Sequence, residues 1–200
     1  ASLPEGIEVE FDGEYEAMFS YKMKNYALLE RGGNLVIKGA ALKSRGLQPF
    51  QREYLEALLR CRLEDREGDL PALQEQYRAA IRDRAWPIEK LAKTETLQAD
   101  PETYRQKVQQ GGRGRNAAYE LALRSDRPYR AGDQVSYYVT GDKKSVSVHE
   151  AARLVGDWDP DHRDENVPYY LAKLESLAKK FNPDTSAAQG TLDLDGGGAS

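Results

Sequence analysis

Pro49-Phe50-Gln51-Arg52-Glu53-Tyr54-Leu55-Glu56-Ala57-Leu58-Leu59-Arg60-Cys61-Arg62-Leu63 is where the chain changes period. Phe50, Tyr54, Leu55, Leu58, Leu59 and Leu63 return about every 3.6 residues, and proline stands at the first helical position, where its missing N–H costs nothing. The spacing predicts a long amphipathic helix running to about Arg66. Upstream the period is two. Ile7, Val9 and Phe11 alternate with Glu8, Glu10 and Asp12 and end in an Asp12-Gly13 turn. Met18 to Leu29 alternates again and reads as another strand, which Glu30-Arg31-Gly32-Gly33-Asn34 turns into Leu35-Val36-Ile37. These patterns predict an α+β fold, with a small antiparallel β part first and a mainly helical part after it.

Downstream, Asp69 with Pro71 opens a second helix through Leu73, Tyr77 and Ile81, and Asp100-Pro101 opens a shorter one to about Gln109. Gly111-Gly112-Arg113-Gly114-Arg115-Asn116 interrupts, and Asn116 is placed to cap a helix over Ala117 to Leu123. Gln134-Val135-Ser136-Tyr137-Tyr138-Val139 reads as a strand closed by Gly141-Asp142, with two last helices near His149 to Val155 and Val167 to Phe181. From Asn182 the residues are small, polar and glycine-rich, a composition that predicts disorder.

Charge is unevenly distributed. Tyr104 to Arg130 carries Arg105, Lys107, Arg113, Arg115, Arg124, Arg127 and Arg130 against only Glu120 and Asp126, a local +5 in a chain of net charge −4. Ser20 to Arg45 carries Lys22, Lys24, Arg31, Lys38, Lys43 and Arg45 against Glu30 alone, again +5, whereas the ionisable residues before it are all acidic. Such segregation suits one face built for a polyanion. At the basic turn, glycines would allow close backbone approach and the unpaired amides of the following helix would favour an anion beside Arg113, Arg115 and Asn116.

Cys61 is the only cysteine, so an internal disulfide and a four-cysteine zinc site are excluded. There is no apolar run of about 18 residues and Ala1-Ser2-Leu3-Pro4-Glu5 has no signal-peptide character, so the expectation is a cytoplasmic protein without a membrane partner. No Walker loop, nucleophile elbow or paired-histidine metal motif occurs. Asp157-Trp158-Asp159-Pro160-Asp161-His162, with Asp164 nearby, offers carboxylates to a metal but lacks the glycine and distal glutamate of an EF-hand loop. Trp86 and Trp158 read as packing residues.

The order of these parts resembles the C-terminal end of family B DNA polymerases. Lys24-Asn25-Tyr26 is similar to the family's Lys-x-Tyr element, which implies contact of Lys24 and Tyr26 with primer-template duplex. Lys38-Gly39 and Arg45 resemble the basic residues that lead into the thumb and approach the primer backbone, although Ala41 stands where the family has an acid and Ser44 where it has the first of two arginines. The basic turn before Ala117, the Gly132-to-Val139 strand, Asp159-Pro160 and Tyr169-Tyr170-Leu171 follow in the family's order over roughly residues 3 to 181.

The resemblance implies residues 1–46 as the edge of a palm, 47–181 as a mostly α thumb with a strand pair near 134–148, and 182–200 as a disordered tail. It implies a part in DNA synthesis, for replication or repair, with primer-template double-stranded DNA and the catalytic palm and fingers portion as partners. Its DNA-binding residues would be Lys24, Tyr26, Lys38, Arg45, Arg113, Arg115 and Asn116. Mg2+ is implied for the full polymerase, but the Asp-Thr-Asp core that would hold it is not in this sequence, so the chain is expected to carry no cofactor and to be inactive alone. A stand-alone, non-catalytic duplex-binding protein is the alternative reading. In the tail, Gln189, Leu192 and Leu194 resemble a sliding-clamp-binding peptide whose aromatic anchor is replaced by Asp195.

Overall fold

The computed structural model describes residues 15–21, 25–39, 46–112 and 114–181. Two compact units divide the chain, residues 1–45 with 56–70 and residues 46–55 with 71–200. The fold is α+β, with two small antiparallel sheets and six α-helices among the described residues.

In the first unit, β1 (Tyr15–Ser20), β2 (Tyr26–Glu30) and β3 (Leu35–Lys38) form an antiparallel meander. The stretch expected as one strand from Met18 to Leu29 is thus a hairpin, closed by Tyr21 N donating to Asn25 O at 2.7 Å. A twelve-residue strand would extend for about 40 Å, far beyond what its short neighbours can pair with. The second turn follows expectation: Glu30 and Asn34 close it through a 2.9 Å backbone bond, and Gly33 takes φ +77°, which a side chain would strain. Alternation sorts the sheet's faces. Ala27 and Leu29 are buried, while Met18 on the other face is 63 % exposed. Arg62 lies 5.7 Å from the Phe19 ring and Arg60 donates to Gly33 O at 2.8 Å, so the 56–63 stretch of α1 (Pro49–Leu63) lies against this sheet. The segment from Ile7 to Phe11 lies outside the described residues.

Helix α1 begins at its proline, with Gln51 Oε1 accepting from Gln48 N in the manner of a capping box. It stops at Leu63, short of the expected Arg66, because Asp65 turns left-handed at φ 55° and Arg66 N bonds back to Cys61 O at 2.8 Å. Helix α2 (Leu70–Arg82) ends by the same device, with Arg84 at φ 51° and Ala85 N on Ala80 O.

The second unit adds β4 (Lys93–Thr96), α3 (Pro101–Gln109), α4 (Ala117–Arg124), β5 (Gln134–Val139), α5 (Val148–Ala151), β6 (Ala152–Leu154) and α6 (Val167–Phe181). Its sheet runs β4-β5-β6, all antiparallel. Two expectations are corrected here. The partners of β5 lie outside 134–148, and the helix expected from His149 to Val155 is a single turn that passes into β6 at Ala152. Pairing decides both, because each edge of β5 carries backbone groups that a neighbouring strand satisfies. One core gathers Leu97, Tyr104, Ala118, Tyr119, Val135 and Tyr137. An aromatic group also forms in this unit: Phe50 lies 5.8 Å from Trp86 and 6.1 Å from Tyr170, and Tyr77 joins Tyr54 to Trp86.

Candidate nucleic-acid interface

Antiparallel register places Tyr26, the first residue of β2, directly opposite Lys38, the last of β3. Directly opposed residues point to the same side with Cβ atoms about 5 Å apart, so a phenol and an ammonium rise together from one face. Ser20 continues the row on β1, and Met18, Leu28 and Val36 form the next row on that face. Lys38 is exposed and Tyr26 half-buried. Lys24 and Arg45 lie outside the described residues. Lys38 stands opposite Tyr26 by a pairing across strands that motif spacing could not show.

The basic turn of the second unit is built differently from expectation. Gly111, at φ +72°, ends α3, with Gly112 N on Lys107 O and Gly111 N on Val108 O, each at 3.0 Å. Its glycine thus serves helix termination. Arg113 lies outside the described residues, whereas Arg115 is exposed.

Asn116 caps α4 as expected, its Oδ1 accepting from Tyr119 N at 3.2 Å. The same side chain and its backbone N–H are also tied into the protein. Its Nδ2 donates to Glu95 Oε2 at 3.1 Å and its backbone N donates to Tyr104 Oη at 2.8 Å. Tyr104 in turn donates to Glu120 Oε1 at 3.0 Å.

Sequence reasoning missed Glu95, which lies in the short strand β4 among threonines. Its Oε1 accepts from Tyr137 Oη and lies 3.0 Å from Lys93 Nζ. Partial burial pushes the Glu95 carboxyl up, but the bonds from Tyr137, Asn116 and Lys93, with the Lys93 charge, outweigh it and hold its pKa below the ordinary glutamate value. Burial and the Glu95 bond push the Tyr137 phenol up, so it remains a proton donor. Tyr104 and Tyr119 stack at 4.4 Å, and Tyr119 Oη accepts from Gln98 N at 2.9 Å and Ala99 N at 3.1 Å.

Further cations follow α4. Arg124 donates to Glu120 O at 3.1 Å and His149 O at 3.0 Å, Arg127 lies 5.0 Å from the Tyr129 ring, and all of Arg124, Arg127 and Arg130 are at least partly exposed. The acidic loop closes on itself: Asp159 accepts from Asp161 N at 2.9 Å and pairs with His162 Nδ1 at 2.8 Å. Among the described residues no group of three or more His, Cys, Asp or Glu side chains is placed to hold a metal ion. No helix among them is long and apolar enough to cross a membrane. Gln189, Leu192 and Leu194 lie outside the described residues.

Comparison with known proteins agrees with this architecture. The chain is 28 % identical over 181 residues to the DNA polymerase of Methanocaldococcus jannaschii, covering 86 % of this chain and 10 % of that protein. It is 27 % identical over 199 residues to DNA polymerase 1 of Aeropyrum pernix, covering 95 % of this chain and 20 % of that one. The fold matches a family B DNA polymerase from the hyperthermophilic archaeon Pyrobaculum calidifontis with a TM-score of 0.68 at 19 % identity, over 96 % of this chain and 24 % of that one. The chain thus spans a tenth to a fifth of the length of these two curated relatives. The family pattern described as DNA polymerase family B matches residues 1–181, and the chain belongs to that family.

Proposed function

We propose that this chain forms the palm edge (1–46) and thumb (47–181) of a family B DNA polymerase and grips primer-template duplex through backbone and minor-groove contacts during DNA synthesis. The observation that carries this reading is the Tyr26–Lys38 row on an outward face of the first sheet. An ammonium there meets a phosphate, and the phenol meets a sugar or a groove edge, contacts that position a duplex without reading its sequence. Lys24, Arg45 and Arg113 are proposed phosphate contacts from the family resemblance, and exposed Arg115 is proposed with them. Holding Mg2+ falls to the catalytic palm and fingers portion, the proposed partner of this chain. A cytoplasmic setting is consistent with that work.

Fluorescence anisotropy of the 200-residue chain with a primer-template duplex over a salt series tests the reading. A cation that neutralises one phosphate contributes about 0.9 to the slope of log K against log salt. Lys38→Ala is therefore expected to flatten the slope by about that amount. Tyr26→Ala should weaken binding by about fivefold, one hydrogen bond's net worth, at an unchanged slope. A Lys38→Ala slope equal to that of the wild type would remove the sheet face from the interface.

A further inference from the structure

A carboxylate beneath a basic turn meant for phosphates is an electrostatic liability unless its charge is used. Glu95 sits at that place, half-buried, with both oxygens engaged: Oε1 by Tyr137 Oη and Lys93 Nζ, Oε2 by Asn116 Nδ2. Asn116 directly follows Arg115, and it is fixed from three directions, by Glu95, by Tyr104 Oη and by Tyr119 N. Two of those three ties, the Tyr119 cap and the Tyr104 bond, belong to the fold of α3 and α4. The third reaches across to the sheet, linking Glu95 of β4 to Tyr137 of β5 and to the turn. It is the tie that helix formation does not require.

We propose that Glu95 is a positioning residue for duplex binding, holding Asn116 so that Arg115 is presented to a phosphate already ordered. The inference rests on the duplex-gripping reading. Lys93 and Tyr137 compensate the Glu95 carboxylate locally, so the cluster orders the turn without presenting a bare negative charge to the incoming polyanion. Ordering a loop and a long side chain before binding removes part of the entropy that association otherwise loses.

Serine caps a helix about as well as asparagine, so Asn116→Ser keeps α4 and deletes only the donor to Glu95. Glu95→Ala leaves the cap itself untouched and removes the acceptor of the same tie from the other side if the first variant fails to fold, as checked by circular dichroism. Duplex affinity is measured across a salt series for both, for Arg115→Ala, and for each combined with Arg115→Ala. The tie variants are expected to bind about two- to tenfold more weakly with a flatter slope, and to add no further loss once Arg115 is gone. Weakening that is the same with or without Arg115, or a slope equal to the wild type's while Arg115→Ala flattens it, would overturn the positioning role. An Arg115→Ala slope equal to that of the wild type would instead overturn duplex binding at this turn, and the inference with it.

Discussion

Arg163→Ala is expected to destabilise the chain by about 3 kcal/mol, at the lower end of what breaking a buried ion pair costs. The Glu165 side chain is only 1 % exposed, and Arg163 meets its Oε1 with two nitrogens, Nε at 3.0 Å and Nη2 at 2.9 Å. Arg163 also donates to Arg84 O and, at 2.5 Å, to Trp86 O. One guanidinium thus neutralises a buried carboxylate and satisfies carbonyls at the left-handed end of α2, joining the loop before α6 to the turn after α2. The loss stays near the lower end because Arg84 Nε at 3.9 Å and Trp158 Nε1 at 3.5 Å remain beside Glu165. A fall in melting temperature of about 6–12 °C is expected for a protein of this size. Replacing both partners, Arg163→Met with Glu165→Leu, should recover most of the loss, because the cost lies in the orphaned charge. A single variant that melts within a degree of wild type would refute this account of the pair.

Phe50→Ala should cost about 3–5 kcal/mol, the range for removing a buried aromatic ring. Phe50 is fully buried, with Trp86 tilted against it at 5.8 Å and Tyr170 edge-on at 6.1 Å. These partners come from α6 and from the turn after α2, so the vacated volume is bounded by elements that cannot all close in together. Phe50→Leu should lose only about 1–1.5 kcal/mol, since most of the volume remains. Denaturant midpoints give both values, and Trp86 fluorescence should shift to the red in the alanine variant alone. Equal midpoints for the two variants would mean that the ring is not a packing centre.

What could be read from the residues depends on how local its cause is. Helices α1, α2, α3, α4 and α6 carry their own periodicity and start signals, and Asn116 was legible as a cap because the cap bond spans three residues. Strand β6 could not be separated from the end of a helix, because Ala152-Arg153-Leu154 is a strand only by pairing with Tyr137-Tyr138-Val139. Lys93-Thr94-Glu95-Thr96 has no apolar alternation at all and is held by its pairing with β5. The same division runs through the candidate interface. Tyr26 and Lys38 were each visible through the family resemblance, but their meeting depends on register across the second hairpin. Glu95 was invisible, since its bond to Tyr137 joins residues 42 apart. The further ties of Asn116 were equally invisible, since its bonds to Glu95 and Tyr104 join residues 21 and 12 apart.

Hydroxyl-radical footprinting of a primer-template duplex in the presence of the chain tests the central claim most directly. Protection of sugars on both strands of the duplex, independent of base sequence, fading as salt rises and reduced by Lys38→Ala, is the expected result. Protection confined to the single-stranded template, or none at low salt from a folded chain, would contradict it.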